Sequence, residues 1–452
     1  MLTGKKAFLL FLLASVVSLS GQTIMHRDSK ISGMVNELST NNLKATVQKL
    51  VGFGTRHSFS TNEDDIRGIT AACKWVKGEF DKIAIATGGR FEAVWDTFTV
   101  NPDGRRILKK EQMINVIGRL KGNNKEDKRV FLVSGHIDSR NGSANDTKID
   151  APGANDDASG VALVVELARI MSKYNFPADI VFTVVSGEEQ GLYGSTHIAE
   201  KAKEENWNIE AMLNNDMVGN SASSGNRIED NIQVRVFSEG IPAFETDRMK
   251  RERIATSGEN DSKSRQLARY IKEVGERYVD NIEVKLIYRS DRFLRGGDQS
   301  PFSRNGFTAV RLTEMNENFD RQHQNIREEN GIKYGDVIEF VDFEYVRKIA
   351  AINLAAIANA NLAPGPPVNA AIEVREVANN TKIKWETPGG TAPDGYYVLM
   401  RETSSSVWQK KFFVKGNEMV LPYSKDNYFF AVQSVDKEGH ESLPVFPAIA
   451  RN

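Results

Sequence analysis

Apolar residues along the first three quarters of the chain follow two alternating spacings. Helical spacing, with apolar positions three or four residues apart, occurs at residues 41–51, 63–82, 160–173, 192–205, 263–278 and 343–361. Short apolar runs rich in β-forming residues occur at residues 114–120, 130–134, 180–185, 209–213, 284–287 and 308–312. Strands that alternate with helices predict an α/β fold, a mostly parallel, mixed sheet with helices on both faces. The runs at 130–134 and 180–185 are almost continuously apolar, which is typical of central strands buried on both sides.

The pattern changes after residues 363–367, which read Ala-Pro-Gly-Pro-Pro. Prolines end the preceding helix and stiffen the connection, so we predict a linker here. Beyond it, short β-like segments occur at residues 371–377, 381–385, 396–402, 408–415 and 428–436. No helical spacing interrupts them, which predicts a small all-β sandwich over residues 368–452.

Residues 1–21 have the layout of a secretory signal peptide. Lys5 and Lys6 form a short positive region, an apolar run follows at residues 8–17, and small residues come next. The run is shorter than the roughly 20 residues that a membrane-spanning helix needs, and no later run is long enough either. We therefore expect an exported protein, secreted or periplasmic, with no membrane span and with its α/β domain at residues 22–362.

Composition and charge limit which binding partners and which kinds of metal site the protein can have. The 452 residues include 59 Lys plus Arg and 60 Asp plus Glu, and the formal net charge is −1. This balance gives no reason to expect nucleic acid or an anionic membrane as a partner. The single cysteine, Cys73, cannot form an internal disulfide, and it excludes zinc sites built on several thiolates. Any metal must therefore be held by histidine and carboxylate groups.

Five separated segments carry residues that can bind a metal, and several follow a predicted strand directly. They contain His136 and Asp138, then Asp156 and Asp157, then Glu188 and Glu189, then Asp216, and finally His323. Each has an ordinary explanation when taken singly, since an Asp pair before a helix is usually an N-cap and a Glu pair is usually a solvated turn. Ligands of open α/β sheets bind at the carboxyl ends of the strands. Because residues at three strand ends meet there, we expect the five segments to form one site.

The same segments resemble the di-zinc aminopeptidase family, which includes bacterial leucyl aminopeptidases and glutamate carboxypeptidase. The matching motifs are His-x-Asp, Asn-Asp-Asp-Ala-Ser-Gly, Gly-Glu-Glu-x-Gly-Leu-x-Gly-Ser, Asn-x-Asp-Met and a distal His. The resemblance covers residues 40–361. The tail after Pro367 resembles a fibronectin type III module, with Trp385 as its core tryptophan and Tyr428 on a late core strand.

The resemblance implies two zinc ions held by five ligands. Asp156 bridges both ions, His136 and Asp216 complete one site, and Glu189 and His323 complete the other. The charges agree with two ions, because three carboxylates and one bridging hydroxide balance two Zn²⁺. Imidazole and carboxylate ligands suit zinc, although cobalt or manganese can also occupy such a site.

Two further roles follow from the resemblance. Glu188 is the general base that takes a proton from the attacking water. Asp138 orients His136 without touching metal, and Asp298, in Gly-Gly-Asp-Gln-Ser, is expected to orient His323 in the same way.

The sequence departs from the family near Asp298, where related enzymes often supply a tyrosine that stabilises the oxyanion. Arg292 and Arg295 occupy this segment instead, and a cation can stabilise developing negative charge or contact the substrate. Alternatively, both arginines are solvated loop residues.

These assignments predict a secreted zinc exopeptidase that acts on peptides. The preferred prediction is an aminopeptidase that removes N-terminal residues with metal-activated water. A carboxypeptidase of the same fold uses the same metal centre. Glutaminyl cyclases share the fold but look less like the Gly-Glu-Glu run found here. A non-catalytic binding protein on this scaffold is a fourth reading, although such relatives lack the full metal set.

Overall fold

The computed structural model describes residues 26–60, 65–375 and 377–450. The predicted signal peptide at residues 1–21 lies outside the described residues. Within the described ranges, every helix is too short or too polar to cross a membrane.

A mixed sheet of eight strands forms the centre of the molecule. In chain order the strands are β1 (Phe91–Val100), β2 (Glu111–Leu120), β3 (Arg129–His136), β4 (Asp179–Val185), β5 (Asn208–Asn215), β6 (Gln233–Phe237), β7 (Glu283–Ile287) and β8 (Ala309–Glu314). Their order across the sheet is β1-β2-β4-β3-β5-β8-β6-β7. The inner strands β4, β3, β5 and β8 run parallel to one another, whereas β1, β2 and β6 are each joined by at least one antiparallel pairing. The expected α/β class with a mostly parallel mixed sheet is confirmed.

Helices cover both faces of this sheet. They are α1 (Ser29–Asn36), α2 (Thr40–Val51), α3 (Gly68–Ala86), α4 (Ala158–Met171), α5 (Glu188–Gly191), α6 (Tyr193–Glu204), α7 (Asp247–Thr256), α8 (Lys263–Tyr278), α9 (Gln299–Arg304) and α10 (Phe343–Leu362). One core joins the sheet to α1, α2, α3, α4, α8 and α10, and a second, smaller core joins the other face to α6 and α9. Helix α4 is apolar around most of its circumference and is almost completely buried, as expected of a helix between a sheet and other helices.

Every predicted helix and strand of this domain overlaps an observed element, but several observed elements were not predicted, among them the helices α1, α5 and α9. Strand β1 alternates buried and exposed residues at the sheet edge, so it lacks the continuous apolar run of the inner strands. Strand β6 and helix α7 lie in the polar stretch after Asn220, and α7 buries no residue. A short hairpin, β9 (Arg327–Glu329) and β10 (Ile332–Tyr334), and a 3₁₀ turn at Ile338–Phe340 complete this part of the chain.

Two small sheets follow the predicted linker. The strands are β11 (Val368–Ile372), β12 (Thr381–Glu386), β13 (Gly395–Glu402), β14 (Lys410–Val414), β15 (Glu418–Leu421), β16 (Tyr428–Val435) and β17 (Ala448–Ile449). A four-stranded sheet has the order β15-β12-β11-β17, and a three-stranded sheet has the order β14-β13-β16. Both sheets contribute to one apolar core around Trp385, whose ring packs against Tyr396 at a centroid distance of 5.3 Å. We call residues 368–450 the β module below.

Buried ion pairs join the β module to helix α8. Arg277 Nη1 lies 2.7 Å from Glu441 Oε2, and Lys411, which lies 3.1 Å from Glu441 Oε1 within the module, also pairs with Glu273 of α8. Asp261, directly before α8, pairs with Arg269 at 2.9 Å and with Arg401 of β13 at 2.6 Å. Because a buried charge is costly without its partner, these pairs hold the β module in one position on the α/β domain.

We predict that Glu441→Gln destabilises the protein by about 3 kcal/mol, because it removes the buried carboxylate shared by Arg277 and Lys411 and leaves both cations with only the partly exposed Glu273. Burial alone raises the pKa of Glu441, but the two cations outweigh it and lower the pKa to about 2. Since the folded-state pKa lies below the ordinary value of 4.5, the stabilisation is present above pH 4.5 and is lost as the pH falls towards 2. Chemical unfolding curves of wild type and variant, recorded at pH 7 and again at pH 3, measure both effects.

The matched control is Glu418→Gln, which removes an exposed partner of Lys382 from the same module. It is expected to cost less than about 1 kcal/mol. Equal losses in the two variants would contradict a stabilising role of the buried pairs.

Candidate functional site

The residues singled out in the sequence lie at one edge of the central sheet. His136 ends β3, Glu188 and Glu189 begin α5 just after β4, and Asp216 follows β5. Because these three strands are parallel neighbours, their carboxyl ends meet at the same edge. Asp156 reaches it from the loop before α4, and His323 reaches it from the loop after β8. The five segments therefore converge, as the sequence predicts.

Asp156 lies between the two histidines. Its Oδ1 is 3.1 Å from His136 Nε2, and its Oδ2 is 3.1 Å from His323 Nε2. Asp216 Oδ1 lies 3.8 Å from the first imidazole nitrogen, and Glu189 Oε1 lies 2.7 Å from the second. One carboxylate thus faces a histidine and a further carboxylate on each side.

Two groups of potential ligand atoms result. His136, Glu188 and Asp216 form one group, and Asp156, Glu189 and His323 form the other, with the atoms of each group within 4.8 Å of one another. Glu188 is thus a member of the first group, with a carboxylate oxygen within 4.8 Å of the ligand atoms of His136 and Asp216.

The chemistry of these atoms fits bound cations. Among the described residues, His136 Nε2 is buried and has no hydrogen-bond partner. Its other nitrogen, Nδ1, donates to the carbonyl oxygen of Asp138 at 3.0 Å. A carbonyl only accepts, so Nδ1 carries a proton, and in the neutral imidazole the lone pair of Nε2 points among the carboxylates. Imidazole and carboxylate ligands in this arrangement suit zinc.

The crowded carboxylates shift the pKa values of the site strongly. Burial raises the pKa of Glu188 well above its usual value, and Asp216 and Glu189 raise it further. His323 is also largely buried, which by itself lowers its pKa, but Glu189 and Asp156 raise it to about 10. Cations bound among these groups would oppose both shifts, because positive charge favours ionised carboxylates and neutral imidazole.

Asp138 connects the first histidine to the segment that carries the two glutamates. Its carboxylate accepts hydrogen bonds from Glu188 N at 3.2 Å and Glu189 N at 3.1 Å, and from Ser58 Oγ at 3.0 Å. The contact with His136 comes from the backbone carbonyl, whereas the nearest carboxylate oxygen lies 3.7 Å from Nδ1. Asp138 thus lies beside His136 as expected, but its side chain holds α5 instead of the imidazole.

Gly187 makes the turn from β4 into α5 possible. Its φ of +78° lies in the left-handed region, and a Cβ there would lie 2.6 Å from Met113 Sδ. A glycine at this position lets Glu188 and Glu189 follow the buried strand at once.

The expectation that Asp298 orients His323 is wrong. His323 Nδ1 faces Arg140 Nη2 at 3.0 Å instead. Asp298 precedes α9 directly and is fully buried beneath the site, whereas the His323 side chain is partly exposed. Burial, with Asp216 and Asp138 nearby, raises the pKa of Asp298 to about 7.

Arg292 and Arg295 line the same cavity as the candidate ligands. The cavity has a volume of about 440 Å³. It is lined by Arg106, Arg140, Asp156, Glu188, Glu189, Leu192, Asp216, Arg292, Leu294, Arg295, Gly296, Gln322 and His323. Both arginines also pair with Glu317, at 3.2 Å and 2.8 Å, so they are held in the cavity wall.

Three residues that sequence reasoning missed position the ligand segments. The carboxylate of Asp336 accepts hydrogen bonds from Asn155 N at 2.9 Å and Asp156 N at 2.7 Å. Arg56 is fully buried and donates to Ile137 O at 2.7 Å and Gly153 O at 2.9 Å. Arg311, on β8, pairs with Asp216 at 3.0 Å. Each contact joins residues far apart in the chain, so no local motif signals it.

Comparison with known proteins agrees with this geometry. Residues 115–341, half of the chain, match the model of "Peptidase family M28". A "probable zinc metalloprotease" of Leptosphaeria maculans is 43% identical over 422 residues, which cover 93% of this chain and 97% of the relative. A second one, from Pyrenophora tritici-repentis, is 41% identical over 93% of this chain and 87% of its own length.

A solved structure supports the fold. The LapA aminopeptidase of Legionella pneumophila superposes with a TM-score of 0.51 over 78% of each chain, at 17% identity. The similarity to that enzyme concerns the fold, whereas the two fungal relatives extend over nearly the whole chain. Together with the matched family model, these relatives show that the chain belongs to peptidase family M28, as a zinc metallopeptidase.

Proposed function

We propose that this zinc metallopeptidase is a secreted di-zinc exopeptidase that removes N-terminal residues from peptides. The observation that carries the proposal is the position of Asp156, whose two oxygens each lie 3.1 Å from a different imidazole nitrogen. A carboxylate so placed can bridge two ions. Export rests on the signal-peptide pattern of residues 1–21.

Five residues would hold the metals. His136 and Asp216 would bind one zinc ion, Glu189 and His323 the other, and Asp156 both. Two bound zinc ions supply Lewis-acid chemistry, polarising a carbonyl and making a water molecule acidic near neutral pH.

Glu188 would move the proton. Its carboxylate lies at the cavity wall, within 4.8 Å of the ligand atoms of His136 and Asp216, where it could hold a water molecule against the scissile carbonyl. It takes the proton of that water and passes it to the leaving amine. The hydrogen bonds that the backbone N–H groups of Glu188 and Glu189 donate to the Asp138 carboxylate hold the start of α5 at the site.

The aminopeptidase assignment rests on the family resemblance of the motifs and on the LapA aminopeptidase as a fold relative. A carboxypeptidase is the second candidate, and one observation favours it. Four arginines line the cavity, while its acidic lining residues are all used by the proposed metals and base. Guanidinium groups bind a terminal carboxylate well, whereas an α-ammonium needs an acidic or carbonyl partner. A non-catalytic role is disfavoured because the whole ligand set converges in one site.

For the β module we propose a fibronectin type III-like sandwich. Its two sheets of four and three strands and the buried Trp385 support this. It would act as a packing domain, since buried ion pairs fix it to α8.

We predict that Glu188→Gln retains two zinc ions per chain and lowers kcat by about 10²–10⁴, because the amide cannot accept the proton. Asp216→Ala should lose zinc as well as activity. Metal analysis of purified protein, together with initial rates on leucine chromogenic substrates, measures both. Glu204→Gln, at an exposed glutamate near the end of α6, is the matched control and should behave as wild type. Loss of zinc in Glu188→Gln would make Glu188 a ligand and not a base.

Asp336→Asn should weaken zinc affinity by about 10–100-fold, because a neutral amide accepts hydrogen bonds less strongly than a carboxylate and its NH₂ group replaces one of the two oxygens that face the backbone N–H groups placing Asp156. Competition with a chelating dye gives the affinity. Asp320→Asn removes a carboxylate from the loop that precedes β9 and leaves these contacts intact, so it should bind zinc like wild type. Unchanged affinity in Asp336→Asn would show that Asp156 is placed without it.

Peptides with free or blocked ends test which terminus is recognised. We expect N-acetylation to lower kcat/KM by roughly a hundredfold or more, since a site that binds the free amine rejects the blocked form. Mass spectrometry of the products identifies the residue released. Release of the C-terminal residue from an N-acetyl peptide would replace the aminopeptidase assignment by the carboxypeptidase one.

A further inference from the structure

One wall of the active-site cavity is strongly cationic. Arg106, Arg140, Arg292 and Arg295 all line it, and we call these four residues the arginine wall. The acidic residues of the cavity are those already assigned to zinc or to proton transfer. The charges of the arginine wall must therefore be balanced by carboxylates on the protein side of the wall or by an anion bound in the cavity.

Behind the wall, the carboxylates are fewer than the guanidinium groups. Glu317 alone pairs with Arg235 at 3.0 Å, Arg292 at 3.2 Å and Arg295 at 2.8 Å. Asp291 adds a second carboxylate, which contacts Arg292 at 3.1 Å. Three guanidinium groups thus share two carboxylates, one of which also lies 3.4 Å from Arg311, and a net positive charge remains on this side of the cavity.

Arg295 brings this charge closest to solvent. Its side chain is 40% exposed, whereas that of Arg292 is 12% exposed. A guanidinium has five N–H donors in a flat fork, so Arg295 can keep its contact with Glu317 and still donate to a second carboxylate.

On the opposite side, Arg106 donates to the backbone carbonyl oxygen of Glu189, a neutral acceptor. Arg140 contacts His323 Nδ1 and lies 3.3 Å from Glu189 Oε2. Arg140 is thus balanced in part by Glu189, whereas Arg106 makes no ion pair among the described residues and adds its charge to the cavity.

From this arrangement we infer that the arginine wall binds a carboxylate group of the substrate and makes the enzyme prefer anionic peptides. The carboxylate is either an acidic side chain beside the scissile bond or the terminal carboxylate of a short peptide. The inference rests on the proposed peptidase function and adds the substrate class. Leu192 and Leu294, which also line the cavity, provide an apolar surface for the rest of the residue.

Three peptides of equal length separate the two sources of carboxylate. The first is neutral with an amidated C-terminus, the second is amidated and has Glu beside the scissile bond, and the third is neutral with a free C-terminus. For the wild-type zinc enzyme we expect kcat/KM to be about tenfold higher or more for at least one of the two anionic peptides than for the neutral one. Whichever anionic peptide is preferred identifies the source. Equal values for all three peptides would overturn the inference.

Arg295→Gln tests the wall directly. It should reduce the preference, measured as the ratio of the two kcat/KM values, by about tenfold. Arg106→Gln is a second, exposed variant that should also reduce it. Arg289→Gln is the matched control, because Arg289 belongs to the same loop and stacks on Phe293 but does not line the cavity. An unchanged ratio in both wall variants would overturn the inference.

A binding measurement separates failure of this inference from failure of the proposed function. Two zinc-loaded proteins are compared by calorimetric titration: Glu188→Gln, and the double variant that also carries Arg295→Gln. Each is titrated with the preferred anionic peptide and with the neutral one. We expect the anionic peptide to bind tighter and to lose about tenfold in affinity with Arg295→Gln. If the substrate carboxylate bound zinc directly, the anionic peptide would bind the double variant as tightly as the single one, and that result would overturn the inference. Equal affinities of the anionic and neutral peptides for the Glu188→Gln protein would overturn it as well. Tight, arginine-dependent binding without hydrolysis by the wild type would support the wall and contradict the peptidase assignment.

Discussion

The carboxylate of Asp157 holds together the segments from which the site is built. It accepts hydrogen bonds from His136 N at 2.9 Å, from Gly160 N at 3.0 Å and from Met217 N at 3.2 Å. One buried side chain thus caps helix α4 and ties it to the ends of β3 and β5. His136 itself takes part in these hydrogen bonds. Asp156 precedes Asp157 in the chain, and Asp216 precedes Met217. The expectation that an Asp pair before a helix is an N-cap is correct for the second aspartate, and the first is left free to face the two histidines.

The cost of this design is a group of buried acids in a small volume. Two fully buried arginines offset part of that cost. Arg56 lies under the loops that carry Asp138 and Asp156, and Arg311 pairs with Asp216. The remaining negative charge favours bound cations, since buried carboxylates without counter-charge would take up protons instead. Family membership and geometry therefore point to the same requirement for metal.

The β module contributes to the same cavity indirectly. Tyr288 donates to the carbonyl oxygen of Ser406 at 2.8 Å and stacks against Arg265 and Arg269 of helix α8. This contact lies just before the segment that carries Arg292 and Arg295. The module thus fixes one end of the segment that forms the cationic side of the cavity, while the ion pairs around Glu441 and Asp261 keep the module itself in place.

The sequence by itself determined six of the eight strands of the central sheet, six of the ten helices in the described ranges and the residues at the strand ends. Period and burial are local properties, and residues such as His136, Glu188 and Asp216 follow apolar strands whose carboxyl ends must meet. Strand β1 and helix α7 were missed because an edge strand and a solvated helix bury few residues. Their sequences therefore show no clear apolar pattern.

Only the tertiary structure decided which distant groups support the site. Asp336 and Arg56 hold the Asp156 loop from remote parts of the chain, and nothing in their own neighbours marks them. Asp298 was assigned to the wrong histidine for the same reason, because sequence order does not show that α9 buries it beneath the site while Arg140 occupies the place beside His323. Local spacing specifies elements and strand ends, whereas contacts between loops depend on how those elements pack.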